Sequence, residues 1–308
     1  MHRIVFVVYP DFELLDSAGP VSVFNGVNHA LRQQGKPPFY QIALASSAGG
    51  AVESSSGVAV ETCPVADIEE ADTVLVAGAE REPLLTALAD PVLQPALRGL
   101  IGNADRFGSV CSGGFVLAAM GLLDGHLVAT HWACCEPLAS AFPRITVDAD
   151  TLYVVDGRLW TSAGVTTGID MALAMVGIDL DPVIAGEVAR RLILYARRPG
   201  YQSQFSRVLQ AQISADSPFA GLIGWVQANL DGQLDVPSLA DRAGMSERSF
   251  HRNFAAATGQ TPARFVETAR LDAARMLLSQ GLPLKVVAAR VGLAPVARGR
   301  KHSSAGSA

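Results

Sequence analysis

The sequence holds only four cysteines in 308 residues, Cys63, Cys111, Cys134 and Cys135, and neither their number nor their spacing suits a disulfide framework or a paired zinc motif. No apolar run approaches the roughly 18 residues needed to cross a bilayer. The apolar start, Ile4 to Val8, is too short for a signal-peptide core and runs into Tyr9-Pro10-Asp11-Phe12-Glu13 with no small-residue cleavage site. Together these absences argue against a secreted disulfide scaffold and a membrane protein, and they lead to the expectation of a soluble chain in a reducing cytoplasm. No metal and no cofactor is expected.

What is present is a composition rich enough in apolar residues, 49% with 17% charged, to bury a sizeable core. The length predicts about two domains. The net charge of −5 hides an asymmetry: residues 241 to 308 hold 11 basic and 4 acidic residues, net +7, which leaves −12 for the rest. A basic end on an acidic body is the electrostatic footprint of a nucleic-acid-binding module, although charge alone also fits a solvated basic tail.

Short β-branched apolar runs recur through the first half, at Ile4 to Val8, Gln41 to Ala45, Thr73 to Ala77 and Phe107 to Val110. Helix-like stretches such as Gly19 to Leu31 and Pro91 to Ala104 lie between most of them, an alternation that predicts a parallel sheet covered by helices. Further strands are expected at Leu127 to Ala129, Leu152 to Val155 and Leu159 to Thr161, with Asp156-Gly157 as a hairpin turn, and helices near Thr166 to Val176 and Pro182 to Tyr195. A polar stretch broken by Pro199-Gly200 reads as a linker over residues 196–217. Beyond it every segment has a helical period, so the chain changes class from α/β to all-α.

The helical part contains a repeat. Leu239-Ala240-Asp241-Arg242-Ala243-Gly244-Met245 matches Val287-Ala288-Ala289-Arg290-Val291-Gly292-Leu293 at a constant offset. Each copy has the pattern of a helix ending in glycine before a tight turn: Ala240 admits a second helix, Gly244 takes the left-handed conformation, and Met245 fills the angle between the helices. Ser246 is a natural N-cap for the next helix. There Phe250 and Phe254 face inward, and a rotation of about 100° per residue puts Arg248 and Arg252 on the opposite face. Ser246, Arg248, Ser249, His251 and Arg252 are the candidate DNA contacts, since arginine pairs bidentately with guanine and serine binds phosphate or a base edge. Leu239 to Phe254, then Thr258-Gly259-Gln260-Thr261-Pro262 and Arg270 to Leu278, resemble the AraC/XylS-type family. That resemblance implies two helix-turn-helix units joined by a long helix near Pro262 to Ser279, and promoter DNA as partner. The repeat breaks after about residue 293: the positions matching Phe250 and Phe254 hold Arg298 and His302, so the second recognition helix is expected to be incomplete.

The strand Phe107 to Val110 runs into Cys111-Ser112-Gly113-Gly114-Phe115 and then a helix. A nucleophile on a sharp strand-to-helix turn needs small neighbours, and a helix N-terminus is expected to lower the thiol pKa. Asp16, in Leu14-Leu15-Asp16-Ser17-Ala18-Gly19-Pro20, and His131, beside Trp132, are the other candidates. Asp16 also reads as a helix N-cap, His131 as a histidine packed on Trp132, and Cys111 as sensor, catalyst or structural thiol. Cys134 and Cys135 read as core, as do Phe265, Met276 and Leu277.

Residues 3–195 resemble the PfpI-like, class I glutamine amidotransferase-like group in the version fused to AraC-type domains. The segments carrying this are Tyr9 to Asp16 with Gly19-Pro20, Val110 to Phe115, Gly121 to Gly125, His131-Trp132, Asp156 to Arg158 and Thr161 to Gly164. The resemblance implies a flavodoxin-like α/β sandwich over residues 1–195, a helix-turn-helix domain over 218–308, a homodimer, and a small-molecule effector, with a nitrogen-containing metabolite as candidate. It matches Cys111 to the elbow nucleophile, Asp16 to the acid near it, and His131 to a histidine that some members place close by. Hydrolytic members commonly carry histidine where this chain has Ser112. The expected function is a ligand-responsive transcription regulator; the alternative is a hydratase or hydrolase acting through Cys111.

Overall fold

The computed structural model describes residues 1–194, 197–201, 204, 219–258, 260–279 and 282–293. Two compact units divide the chain, Met1–Gln204 and Phe205–Ala308. Most of the expected linker, residues 196–217, falls outside the described residues, and the part that is described, 197–201 and 204, belongs to the first unit.

The first unit is built on strands β1 (His2–Val7), β2 (Tyr40–Ser46), β3 (Gly50–Glu53), β4 (Ala59–Pro64), β5 (Thr73–Val76), β6 (Arg106–Val110), β7 (Leu127–Val128), β8 (Thr146–Val147), β9 (Tyr153–Asp156) and β10 (Leu159–Ser162). Eight of them form one sheet in the order β3-β4-β2-β1-β5-β6-β10-β9, while β7 and β8 pair separately. Pairings in the large sheet are parallel except for the two edge hairpins, β3 with β4 and β9 with β10. Both faces are covered, which is why the central strands β5 and β6 are buried along their whole length rather than at alternate residues.

One face packs on α1 (Leu14–Gln33), α6 (Thr167–Asp179) and α7 (Pro182–Arg191), around Phe6, Phe24, Leu75 and Met175. The other packs on α2 (Arg81–Ala89), α3 (Leu93–Asn103), α4 (Gly114–Ala119) and α5 (Cys135–Ala141), around Val7, Val76, Leu97 and Leu117. Helix α1 begins at Leu14, five residues before the expected start. Its cap is Glu13, whose carboxylate accepts from the Leu15 amide, and Asp16 lies inside the first turn, so the N-cap reading of Asp16 does not hold. The hairpin of β9 and β10 turns through Gly157 and Arg158, with Gly157 at φ +62°. Asp156 instead closes β9 and accepts from the Leu127 amide.

The second unit is helical: α8 (Ala220–Ala228), α9 (Val236–Arg242), α10 (Glu247–Thr258), α11 (Pro262–Ser279) and α12 (Leu284–Arg290). Its core gathers Phe219, Leu239, Ala240, Phe250, Phe254 and Phe265, with the rings of Phe219 and Phe250 5.7 Å apart and those of Phe254 and Phe265 5.4 Å apart. Phe250 and Phe254 face inward as their spacing predicts. The side chain of Met276 and residues 294–308, including Arg298 and His302, lie outside the described residues. Among those described, no helix is long and apolar enough to cross a membrane.

Candidate functional site

The parallel strands of the sheet all end at one edge, and there the chain makes its tightest turn. Leaving β6, Cys111 adopts φ +59°, a left-handed conformation that an L-residue holds only when its surroundings impose it. The surroundings are backbone. A Cβ on Gly164 would lie 2.3 Å from that of Cys111, one on Gly78 2.8 Å from it, and one on Gly113 2.3 Å from the Val76 carbonyl oxygen. Three glycines, two of them distant in sequence, therefore make the room that the elbow needs.

Asp16 is fully buried beneath this turn. One carboxylate oxygen accepts from the Gly78 amide at 2.9 Å and the other from the Val165 amide at 2.7 Å, and the Cys111 thiol is near enough for the two groups to shift one another. Among the described residues no cation pairs with the carboxylate. Burial pushes the acid up to about 6, against the opposing pull of these hydrogen bonds and with a further push from Glu13. Burial likewise pushes the Cys111 thiol well up, and the Asp16 charge adds to it. This corrects the expectation of a lowered thiol pKa: α4 has only six residues, and its N-terminal field is outweighed by desolvation and by the neighbouring carboxylate.

Ser112 has its hydroxyl fully engaged. It donates to the Ala79 carbonyl at 2.6 Å and accepts from the Ala79 amide at 2.9 Å, which ties the elbow to the loop after β5. On the other side the Thr130 hydroxyl donates to the Cys111 carbonyl at 2.9 Å. The structure thus brings Cys111 and Asp16 together, while His131 reaches the elbow only through its chain neighbour Thr130, whose hydroxyl bonds the Cys111 carbonyl. The His131 ring lies 5.4 Å from that of Trp132, and no hydrogen bond joins it to Cys111 or Asp16 among the described residues. Burial lowers its pKa and keeps it neutral. Cys135 is buried and its thiol donates to the Thr130 and His131 carbonyls, while Cys134 is half-buried. Gly78, Val165 and Thr130 were not singled out from sequence. Only Gly78 carries a local signal, a glycine directly after a buried strand.

A depression of about 310 Å³ lies elsewhere, over the starts of β1 and β2, bordered by Arg3, Gln41 and Glu70. It is walled by an exposed ion pair, Arg3 with Glu70, and its lining holds no nucleophilic side chain, so the elbow remains the candidate site.

In the second unit Asp235 caps α9 by accepting from the Ser238 amide at 2.9 Å. The helix closes with the Met245 amide on the Ala240 carbonyl at 3.0 Å and Gly244 at φ +65°. The repeat unit does the same. The Leu293 amide bonds the Ala288 carbonyl at 2.9 Å, with Gly292 at φ +67°. Ser246 caps α10, accepting from the Ser249 amide at 3.4 Å. Arg248 and Arg252 are exposed on the face opposite Phe250 and Phe254, His251 is exposed on the flank, Ser246 is exposed at the start, and Ser249 is half-exposed.

Comparison with known proteins places these features in context. The DJ-1/PfpI family matches residues 2–177, and a helix-turn-helix domain matches residues 239–299. The HTH-type transcriptional regulator CdhR of Pseudomonas aeruginosa is 28% identical over 89% of this chain and 80% of its own length. The isonitrile hydratase of Pseudomonas putida is 30% identical over 65% of this chain and 82% of its own. A crystal structure of a ThiJ/PfpI family protein from Pseudomonas syringae superposes with a TM-score of 0.56 at 25% identity, covering 71% of this chain and 88% of that one.

Proposed function

Because the chain belongs to the DJ-1/PfpI family and carries an AraC-type helix-turn-helix domain behind it, it is a DNA-binding transcription regulator, and we propose that its first unit is the sensor. In this reading a small-molecule effector binds at the Cys111 elbow, the exposed face of α10 reads promoter DNA through Arg248, His251 and Arg252 with Ser246 and Ser249 on phosphate or base edges, and the chain works as a cytoplasmic homodimer. The observation that carries the DNA reading is the helix-glycine-helix turn with arginines outward and phenylalanines inward.

The elbow favours sensing over turnover. Near neutral pH the thiol is kept protonated by burial and by the Asp16 charge beside it, Ser112 is engaged in both directions, and His131 makes no bond to Cys111 that would remove its proton. The likeness to an isonitrile hydratase keeps one alternative concrete, hydration of a nitrogen-containing small molecule at Cys111 with Asp16 as the proton-transferring acid. Asp16 at about 6 would suit that role.

Footprinting on the chain's own upstream region, with and without candidate metabolites, tests the regulator. Arg252→Ala should weaken operator binding by about 1–3 kcal/mol if it reads a base, and affinity should fall steeply with salt. Cys111→Ala should abolish the effector response. Unchanged affinity in the Arg248→Ala/Arg252→Ala double variant removes α10 from the reading role, and turnover of isonitriles by the pure chain establishes the hydratase instead.

A further inference from the structure

We propose that residues 197–201 together with Gln204 form a strap whose docking on the first unit is coupled to the state of the Cys111 site, and that this strap is the output of the sensor. The proposal rests on the sensor reading above. The segment had the sequence character of a linker, polar and broken by Pro199-Gly200. The structure instead holds it against the first unit at three points.

At the first point the Arg198 guanidinium grips the buried carboxylate of Asp170 in α6, Nε at 2.9 Å and a terminal nitrogen at 2.6 Å, while the same terminal nitrogen donates to the Thr166 hydroxyl at 3.0 Å. At the second the Gly200 carbonyl accepts from the Leu152 amide at 2.7 Å and the Thr151 hydroxyl at 3.1 Å. Glycine is required there, because a Cβ would lie 2.5 Å from the Tyr153 carbonyl oxygen and 3.0 Å from its ring. At the third the Gln204 amide donates to the Asp150 carbonyl at 2.7 Å, and its side-chain amide bridges the Thr130 and Thr151 carbonyls, each at 3.0 Å.

Two of these anchors adjoin the candidate site. Thr130 receives Gln204 on its carbonyl and gives its hydroxyl to the Cys111 carbonyl. Thr166, bonded by Arg198, directly follows Val165, whose amide holds Asp16. A molecule that binds the thiol and moves the Cys111 backbone, or that changes the charge of the Asp16 carboxyl and so its bond to Val165, acts next to the two residues that hold the strap. The described strap residues are held by the polar bonds of Arg198, Gly200 and Gln204, and Tyr201 is 60% exposed. Released, the strap would lengthen the tether to the DNA-binding unit by up to about 3.3–3.6 Å per freed residue and lower the effective concentration of one unit about the other.

Coupling is reciprocal, so freeing the strap must change the site. The test uses the full-length chain without DNA or effector, which separates its outcome from that of operator binding. N-ethylmaleimide labelling is followed at each cysteine by mass spectrometry in the parent, Arg198→Gln and Gln204→Ala, with Cys63 as internal reference. Labelling of Cys111 should accelerate about fivefold or more in the strap variants with Cys63 unchanged. In the reverse direction, Asp16→Asn should speed hydrogen exchange at the Leu152 and Gln204 amides while the β1 amides stay protected. The Gln204→Ala variant, which leaves the Asp170 ion pair in place, guards against a simple folding failure in Arg198→Gln. Exchange showing the strap freed while Cys111 labels at the parental rate overturns the proposal.

Discussion

The eight-stranded sheet buries an aspartate at each end, and the two are driven in opposite directions. At the edge where the parallel strands start, burial raises the Asp179 carboxyl, but two hydrogen bonds and the charge of Arg106, with the Tyr40 hydroxyl at 2.8 Å, outweigh it and hold the group below the usual carboxylate range. Arg106 in turn bonds the Thr73 hydroxyl and lies over the Trp160 ring, so every partner in that network is itself partnered. At the edge where the strands end, Asp16 has two backbone amides and, among the described residues, no cation paired with it, and it stays near 6. A compensated charge fixes a structure, whereas one held by neutral donors alone sits close to changing its protonation state.

The sharpest way to break this contrast is to remove Asp179. Asp179→Ala strands the Arg106 guanidinium, only 9% exposed, and should cost about 3–5 kcal/mol in urea unfolding of the first unit. A loss under about 1 kcal/mol would show that the pair is solvated and that the contrast is false.

Next comes pH. The folded Asp16 titrates at about 6 against 3.8 when unfolded, so between those values the folded chain holds the extra proton, and stability falls as pH rises by about 3 kcal/mol in all. Asp179, shifted the other way, adds stability that is present at higher pH and is lost only as pH falls below about 3.8, so it is silent in that window. Unfolding midpoints measured from pH 4 to pH 7 should therefore decline in the parent and flatten in Asp16→Asn. The same decline in both would assign it to another group.

Two tyrosines sharpen the comparison at a smaller scale. Tyr40→Phe removes a hydrogen bond to the charged Asp179 and should cost about 1.5–3 kcal/mol. Tyr9→Phe removes one to the neutral Ala77 carbonyl at the site end and should cost about 0.5–1.5 kcal/mol, read in the same unfolding assay. Equal costs would mean that the Asp179 charge contributes nothing to its hydrogen bond.

Much of this was legible in the chain itself. Apolar runs with β-branched residues marked the central strands, because a sheet covered on both faces needs continuous apolar sequence. The helix-turn-helix repeat was legible because its geometry is local, set by a glycine and the residues around it. The β3 and β4 hairpin and α2 were missed, since Gly50 to Pro64 alternates weakly and Arg81 to Ala89 has little amphipathic contrast. Cys111 and Asp16 could be named but not joined, for what joins them is an amide 149 residues beyond Asp16, at Val165, and a glycine at Gly78. The direction of the thiol shift was misjudged for the same reason: a local helix end can be seen in sequence, and a distant buried carboxylate cannot. Gln204 looked like linker because nothing near it in sequence shows that Thr130 and Thr151 present their carbonyls to it.

The central place of β1 also governs how the protein is made. Strand β1, which leaves the ribosome before every strand it pairs with, lies between β2 and β5 at the middle of the sheet, and the amide that satisfies Asp16 belongs to residue 165. At about 5–20 residues per second, the run Ile4 to Val8 waits on the order of ten seconds for the chain that completes its surroundings. During that interval it is an unpaired apolar edge, free to meet other nascent chains. The helical unit, built from neighbours in sequence, closes almost as soon as it emerges. Slower synthesis at low temperature, or a chaperone that shields the first 160 or so residues, should therefore raise the yield of the full chain more than that of the helical unit expressed alone.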